Sequence, residues 1–185
     1  SYYRDAVATV TAALSRRSPD ARIDTMQWKP SLPLDRYPGL PAQKRYYPFR
    51  YTFSRADRDI YRKYTASPLA NREVTQAAIE CLRSQKLGNR AETIDMLNIA
   101  LTAAPYKYAK DADSRLELQD TYLRLDADLA ALLDAIDQCV GLDNALVYLS
   151  STGYYDDASA DAEKYRIPTG NFSVKRAVSL LNAYM

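Results

Sequence analysis

Apolar positions recur along this chain at two spacings, one helical and one suited to strands. Val7, Val10, Ala13 and Leu14 share one helical face, which predicts a short amphipathic helix over residues 2–17, ended by Ser18-Pro19-Asp20. Asn71 reads as the N-cap of a second helix over 73–86, with Val74, Ala77, Ala78, Cys81 and Leu82 inward and a stop near Gly88. The strongest helical pattern covers 114–139. Leu118, Tyr122, Leu125, Leu129, Leu132, Ile136 and Cys139 form its apolar stripe, and Asp120, Arg124, Asp128, Asp134 and Asp137 its polar face. Gly141 is a good C-terminal breaker. A last helix runs from a cap at Asn171 or Ser173 to Met185. Two short apolar runs, 93–101 and 145–149, read as buried strands, and Pro105 stops the first.

Between the first two helices the pattern changes. Residues 28–68 carry six prolines, from Pro30 to Pro68. Proline fixes its own φ and lacks an amide donor, so Pro30 to Pro48 excludes long helices and central strands. An irregular arm is expected, packed by Trp28, Tyr37, Tyr46, Tyr47, Phe49, Tyr51 and Phe53. The alternation Phe49-Arg50-Tyr51-Thr52-Phe53 fits a short strand. The order strand, helix 114–139, strand is a βαβ unit, and such strands pair most simply in parallel with a right-handed crossover. The expected class is therefore α/β. In such sheets ligands sit beyond the C-terminal strand ends, here residues 102–109 and 150–157.

Composition narrows the chemistry. The 185 residues are 47% hydrophobic and 26% charged, enough for one soluble core. Histidine is absent, which excludes a Ser-His-Asp or Cys-His unit, a histidine base and histidine metal ligation within this segment. Cys81 and Cys139 stand far apart, so CxxC redox chemistry and a four-cysteine zinc site are excluded and at most one disulfide remains. No run of about 20 apolar residues is present to span a membrane. The chain opens on Ser1-Tyr2-Tyr3 without a starting methionine or leader, and is expected to be a piece of a longer protein. Residues 1–64 hold 13 Lys/Arg against 6 Asp/Glu, a net of +7, and residues 65–185 a net of −5. Such asymmetry can mark a polyanion-facing part.

The two strand-end loops are poor in ligands. Residues 102–109 offer no carboxylate and no imidazole. Residues 150–157 offer hydroxyls and the late Asp156 and Asp157, which with Asp161 could bind a hard cation but read first as a solvated acidic loop.

A resemblance emerges in the long helix and the strand after it. Asp120-Thr121-Tyr122-Leu123-Arg124-Leu125-Asp126, then Leu129-Ala130, Leu132-Leu133, Asp137, Val140-Gly141, Asn144 and Leu146-Val147-Tyr148-Leu149, resembles the alkaline phosphatase superfamily. It is most similar to secreted bacterial alkaline phosphatases of the nucleotide pyrophosphatase/phosphodiesterase type. Ser1-Tyr2-Tyr3, Trp28, Leu32, Leu34 and Tyr37 resemble a cap insertion, and Ser67-Pro68-Leu69-Ala70-Asn71 with Val74-Thr75 the return to the core. Arg166-Ile167-Pro168-Thr169-Gly170 resembles a segment after the metal loop. The resemblance implies a parallel-sheet sandwich, with residues 1–68 a cap-like insertion and 69–185 a partial core. It also implies an extracytoplasmic location and, in the family, two zinc ions with a Thr or Ser nucleophile outside this segment. The family's ligands in the two loops are Asp and a His four residues on, then Asp-His. Pro105, Ala109, Thr152 and Gly153 stand at those four positions, and none supplies a strong zinc donor. No catalytic residue, metal site or cofactor is therefore expected here.

The expectation is a phosphatase-like scaffold without zinc-dependent phosphate-ester hydrolysis, acting by binding or as a structural protein. A divergent site using Asp95, Asp111, Asp156 or Asp157 is one alternative, and a truncated part of an active phosphatase or phosphodiesterase another. A third is a polyanion- or nucleic-acid-binding module, resting on Arg36, Lys44, Arg45, Arg50, Arg55, Arg58, Arg62 and Lys63 among the tyrosines of 36–64. Against it, the rest of the chain is acidic, no nucleic-acid motif is present, and a proline-rich arm needs its aromatics for packing. Self-association of the piece through exposed apolar surface is also expected.

Overall fold

The computed structural model describes residues 8, 11–12, 15, 18–40, 42–90, 92–110, 113–153, 179 and 182–183. Two units separate, Ser1–Tyr148 and Leu149–Met185. Ala8, Thr11, Ala12 and Ser15 are helical, as are Ser179, Asn182 and Ala183; the rest of both predicted terminal helices lies outside the described residues. The Ser18 hydroxyl accepts from the Asp20 amide and opens a 3-10 helix, Pro19–Thr25, with proline at its first position.

The arm is irregular because its prolines cannot sustain a ladder. Its strands are two residues each, β1 (Gln27–Trp28) and β2 (Tyr51–Thr52), antiparallel with Trp28 opposite Tyr51. Two short helices follow the chain turns, α1 (Ala42–Tyr46) and α2 (Ile60–Thr65). Side chains supply the order that the ladder does not. Trp28, fully buried, meets Phe49 and Tyr106 edge-on with ring centroids 4.9 Å from each. Ile23, Tyr37, Tyr51, Phe53, Ile60, Tyr64 and Leu116 complete this core. Phe49, Tyr51 and Phe53 are all buried, as their alternation predicts. Tyr46 and Tyr47 are the exception: both are exposed, carried outward at the end of α1.

The second helix starts earlier than its pattern suggests. α3 spans Pro68–Ser84, with Pro68 in the first turn, and Asn71 lies inside it rather than capping it. Asn71 is buried because its amide brackets the backbone of Thr102. Asn71 Nδ2 donates to the Thr102 carbonyl at 2.7 Å, and the Thr102 amide donates to Asn71 Oδ1 at 2.8 Å. The buried face is Thr75, Ala78, Ile79 and Leu82, while Val74 is exposed. The long helix α4 spans Arg115–Cys139, and Gly141 (φ +84°) breaks it as expected. α3 and α4 pack through Ala78, Ile79, Leu82, Leu132 and Ala135.

The buried face of α4 departs from the predicted stripe. Glu117, Asp120 and Asp128 are buried, and Tyr122 is exposed. In its N-terminal half the helix turns carboxylates toward the arm, whose donors satisfy Asp120. A periodicity count assigns every charged position to solvent and cannot see those donors.

The two apolar runs are extended but form no ladder. Among the described residues the sheet is β1 with β2 alone. Ile94 and Leu146 are fully exposed, and Met96 and Tyr148 nearly so. The expectation of buried, paired strands therefore fails among the described residues. A buried strand needs neighbours on both edges and layers on both faces, and the described residues provide neither. The described part is mixed helical with one small sheet, compatible with an α/β fragment.

Candidate functional site

The first strand-end loop is built into the core of the arm. Tyr106 is 4% exposed, stacks edge-on against Trp28 and Tyr51, and donates its hydroxyl to the Lys63 carbonyl at 3.3 Å. Burial pushes its hydroxyl pKa up to about 12. Ala109 donates its amide to the Tyr106 carbonyl at 2.9 Å and packs with Tyr108 against the same aromatic core. Pro105 is half-buried beside them. Lys107 and Lys63 approach the Tyr108 ring at 5.2 and 6.0 Å, close enough for cation–π attraction. Asn71 clamps the start of the loop at Thr102. Packing of Tyr106, Tyr108 and Ala109 and the Asn71 hydrogen bonds order this loop.

Thr152 and Gly153 lie in the second unit, both exposed. The Ser151 hydroxyl donates to the Gly153 carbonyl, closing a small local turn. Asp111, Asp156, Asp157 and Asp161 lie outside the described residues. Asp95, in the first unit, is engaged by its own chain neighbours, accepting from the Gly88 amide at 2.9 Å and from Arg90 at 2.6 Å. Among the described residues no three His, Cys, Asp or Glu side chains converge as metal ligands. Zinc takes nitrogen, thiolate or carboxylate donors, and the side chains at 105, 109, 152 and 153 are none of these. The described residues do not fit that metal.

The polar chemistry of the chain is concentrated instead on α4. Asp120, with no exposed surface, accepts four hydrogen bonds. Ser31 N–H (2.6 Å) and the Tyr37 hydroxyl (2.8 Å) reach Oδ1, and Trp28 Nε1 (2.7 Å) and Arg124 Nε (2.7 Å) reach Oδ2. Burial alone raises its pKa, but the bonds from Ser31, Arg124 and Trp28 outweigh it and hold the carboxyl below its ordinary value. Arg124 also donates to the Lys29 carbonyl at 2.9 Å. One carboxylate thus fastens the arm to the long helix. Glu117 does the same one turn earlier, accepting from the Tyr51 hydroxyl at 2.8 Å.

Trp28, Tyr37 and the stretch Asp120-Thr121-Tyr122-Leu123-Arg124 are among the residues that carry the sequence resemblance, and here Trp28, Tyr37 and Arg124 meet at Asp120. Comparison with known proteins agrees. Alkaline phosphatase PafA of Elizabethkingia meningoseptica is 26% identical over 93% of this chain and 33% of its own length. Alkaline phosphatase PhoV of Synechococcus elongatus is 29% identical over 56% of this chain and 18% of its own. The chain is related to alkaline phosphatases. A protein named calcium-transporting ATPase, of Myroides odoratus, is also similar, 28% identical over 67% of this chain and 25% of its own length. No family model matches the chain, and no solved structure matches it. The chain spans about a third or less of the length of these relatives.

In this alkaline-phosphatase-like chain the basic stretch 36–64 is partly neutralised. Lys63 pairs with Asp57, Arg55 with Asp24 (3.2 Å) and Arg62 with Asp59 (3.6 Å), and Lys44 is buried. Those pairs weaken the case for a polyanion surface. Cys81 and Cys139 are both free thiols, each half-buried. No helix among the described residues is long and apolar enough to cross a membrane. Sequence reasoning passed over one feature, a cleft of about 310 Å³ between α3 and α4 that is lined in part by Arg72, Arg124 and Asp128. The signal was present: Asp120, Arg124 and Asp128 recur every four residues, one helical face.

Proposed function

We propose that this chain is part of an alkaline-phosphatase-like α/β protein of the nucleotide pyrophosphatase/phosphodiesterase type that has lost zinc-dependent phosphate-ester hydrolysis and acts by binding or as a structural protein. The observation that carries this reading is the first strand-end loop. Its two expected ligand positions hold Pro105 and Ala109, and its aromatic residue Tyr106 is sunk in the core. A ligand loop must present donors to a shared metal, whereas this one presents packing surface. An extracytoplasmic location goes with the reading.

On the same reading, residues 93–101 and 145–149 are parallel strands flanking the α4 crossover, in a sandwich whose remaining strands lie outside this chain. The full exposure of Ile94 and Leu146 supports this, since each is a β-branched or aliphatic residue with no neighbour. The test is zinc content together with hydrolysis of an aryl phosphate by the whole protein that contains this chain. Sub-stoichiometric zinc and no zinc-dependent turnover are expected. Robust zinc-dependent turnover would overturn the reading in favour of a truncated part of an active enzyme.

A further inference from the structure

Two buried polar atoms lie in the α3–α4 interface without partners. Thr75 is 1% exposed and Asp128 4%, and neither Thr75 Oγ1 nor Asp128 Oδ2 has a hydrogen-bond partner among the described residues. Buried polar atoms are nearly always satisfied, so two orphans in one interface call for a physical account. Thr75 belongs to the buried face of α3 and Asp128 to that of α4. The two helices run parallel. Arg72 lines one cleft with Asp128 at one end of the contact, and Arg83 reaches Gln138 at 3.5 Å at the other. Between them Ala78, Ile79 and Leu82 pack on Leu132 and Ala135. The offset of 55 residues from Arg83 to Gln138 puts Thr75 level with Ala130, about half a turn from Asp128.

The two groups are chemically complementary. A carboxylate oxygen only accepts, and a hydroxyl can donate. Thr65 and Thr121 spend their hydroxyls on the carbonyl four residues earlier, at 2.8 Å each. Thr75 does not, which leaves its donor to the interface. Arg72 and Arg124 act on the Asp128 carboxyl by charge, yet neither donates to Oδ2. Arg124 spends Nε on Asp120 and Nη2 on the Lys29 carbonyl.

We propose that one buried water joins Thr75 to Asp128, accepting from the Thr75 hydroxyl and donating to Asp128 Oδ2. A water does both at once, and it is held where buried polar groups converge. The link makes Thr75 and Asp128 positioning residues. Asn71 stands one turn before Thr75 on the same buried face and brackets Thr102, where the first strand-end loop begins. Fixing α3 at Thr75 therefore fixes the turn from which Asn71 holds that loop. The proposal does not rest on the phosphatase-like reading.

The experiment compares the 185-residue chain with Thr75→Val, which keeps the branched shape and loses the hydroxyl. Oxygen-17 magnetic relaxation dispersion should show one fewer long-lived internal water in the variant. The folding equilibrium constant from urea unfolding should fall about tenfold or more, equivalent to ~1.4 kcal/mol, because a buried carboxylate loses its donor. In an Asp128→Ala background, where no orphan is left behind, the same change should alter that constant by less than about threefold. Exchange at the Thr102 amide should speed up about tenfold in Thr75→Val and stay within about threefold of the parent in Thr75→Ser, which keeps the hydroxyl. An unchanged number of long-lived waters overturns the proposal. So does a Thr75→Val chain as stable as the parent, the result that apolar packing alone predicts, or an equal fall in both backgrounds. If circular dichroism shows Asp128→Ala unfolded, the water count and the contrast between Thr75→Val and Thr75→Ser decide the outcome.

Discussion

Asp120→Asn tests whether one buried carboxylate holds the arm to the long helix. The carboxylate has two oxygens and four donors, two on each. Asparagine keeps a single oxygen and turns the other position into a donor. If the amide nitrogen replaces Oδ2, it faces Trp28 Nε1 and Arg124 Nε, which can only donate. If it replaces Oδ1, it faces the Ser31 amide and the Tyr37 hydroxyl. The Ser31 N–H keeps the Tyr37 hydroxyl oxygen as an acceptor (3.0 Å), and that hydroxyl can rotate, so this side relaxes more easily. The second arrangement is therefore preferred, and the oxygen stays with Trp28 and Arg124.

Even so, the charge is lost and at least one charge-assisted bond goes with it. Each such bond contributes ~1.5–3 kcal/mol, and breaking a buried ion pair costs ~3–5 kcal/mol. Arg124 keeps part of its surface in water, which lowers the second figure. We expect a loss of about 2–4 kcal/mol in urea unfolding, read by Trp28 fluorescence and by far-ultraviolet circular dichroism. The effect should also depend on pH. The folded-state pKa of Asp120 is lowered, so its contribution is present above the unfolded value, about 3.9, and is lost as pH falls through the folded one. The difference between parent and variant should thus be full at neutral pH and shrink in acid. A loss below about 1 kcal/mol, or one independent of pH, refutes the claim that this carboxylate is the anchor.

Four further outcomes follow from the same structure. Gly88 has φ +78°, and a Cβ there would meet Val140 Cγ1 at 2.8 Å, so Gly88→Ala should cost more than the ~1–2 kcal/mol of backbone strain alone, and Val140→Ala should recover only the steric part, both read by thermal melts. Asn71→Ala removes both bonds to Thr102 and should cost about 1–3 kcal/mol, with faster hydrogen exchange at the Thr102 amide. Burial raises Tyr64 and Tyr106 to about 12, above the unfolded value of about 10, and raises Tyr51 further; the stability tied to their neutral forms is complete below the unfolded value and is lost as pH rises through the folded one, so ultraviolet titration should show a group of late phenols that includes these three and whose ionisation accompanies unfolding. Ile94→Lys should leave the stability of the 185-residue chain within about 0.5 kcal/mol and reduce its self-association in analytical ultracentrifugation, while destabilising the whole protein if residue 94 faces a sheet there.

The helices were largely legible. α4 reads from its length, its spacing and Gly141, because these are local properties. The arm was legible in kind, since prolines exclude regular structure and aromatics must then supply order. Which aromatics were inside was decided by geometry: Tyr46 and Tyr47 leave the arm outward from α1, while Tyr106 comes from a distant loop to fill the place beside Trp28. The start of α3 was misplaced because Asn71 carries the side chain of a cap and is used instead to bracket Thr102, 31 residues away.

By itself the sequence determined which ligand types this chain lacks and where its two long helices lie, to within the start of α3. Zero histidines and the residues at 105, 109, 152 and 153 are covalent facts, and no packing can turn proline or alanine into a metal ligand. Tertiary structure alone decided the fate of the charged positions on α4. Whether a carboxylate faces water or the core depends on which donors another segment delivers. Trp28, Ser31 and Tyr37 deliver them to Asp120 from about 90 residues away, a distance at which no periodicity carries information. The same holds for the two apolar runs. Their composition is that of buried strands, but burial belongs to neighbours, and neighbours are a property of the fold.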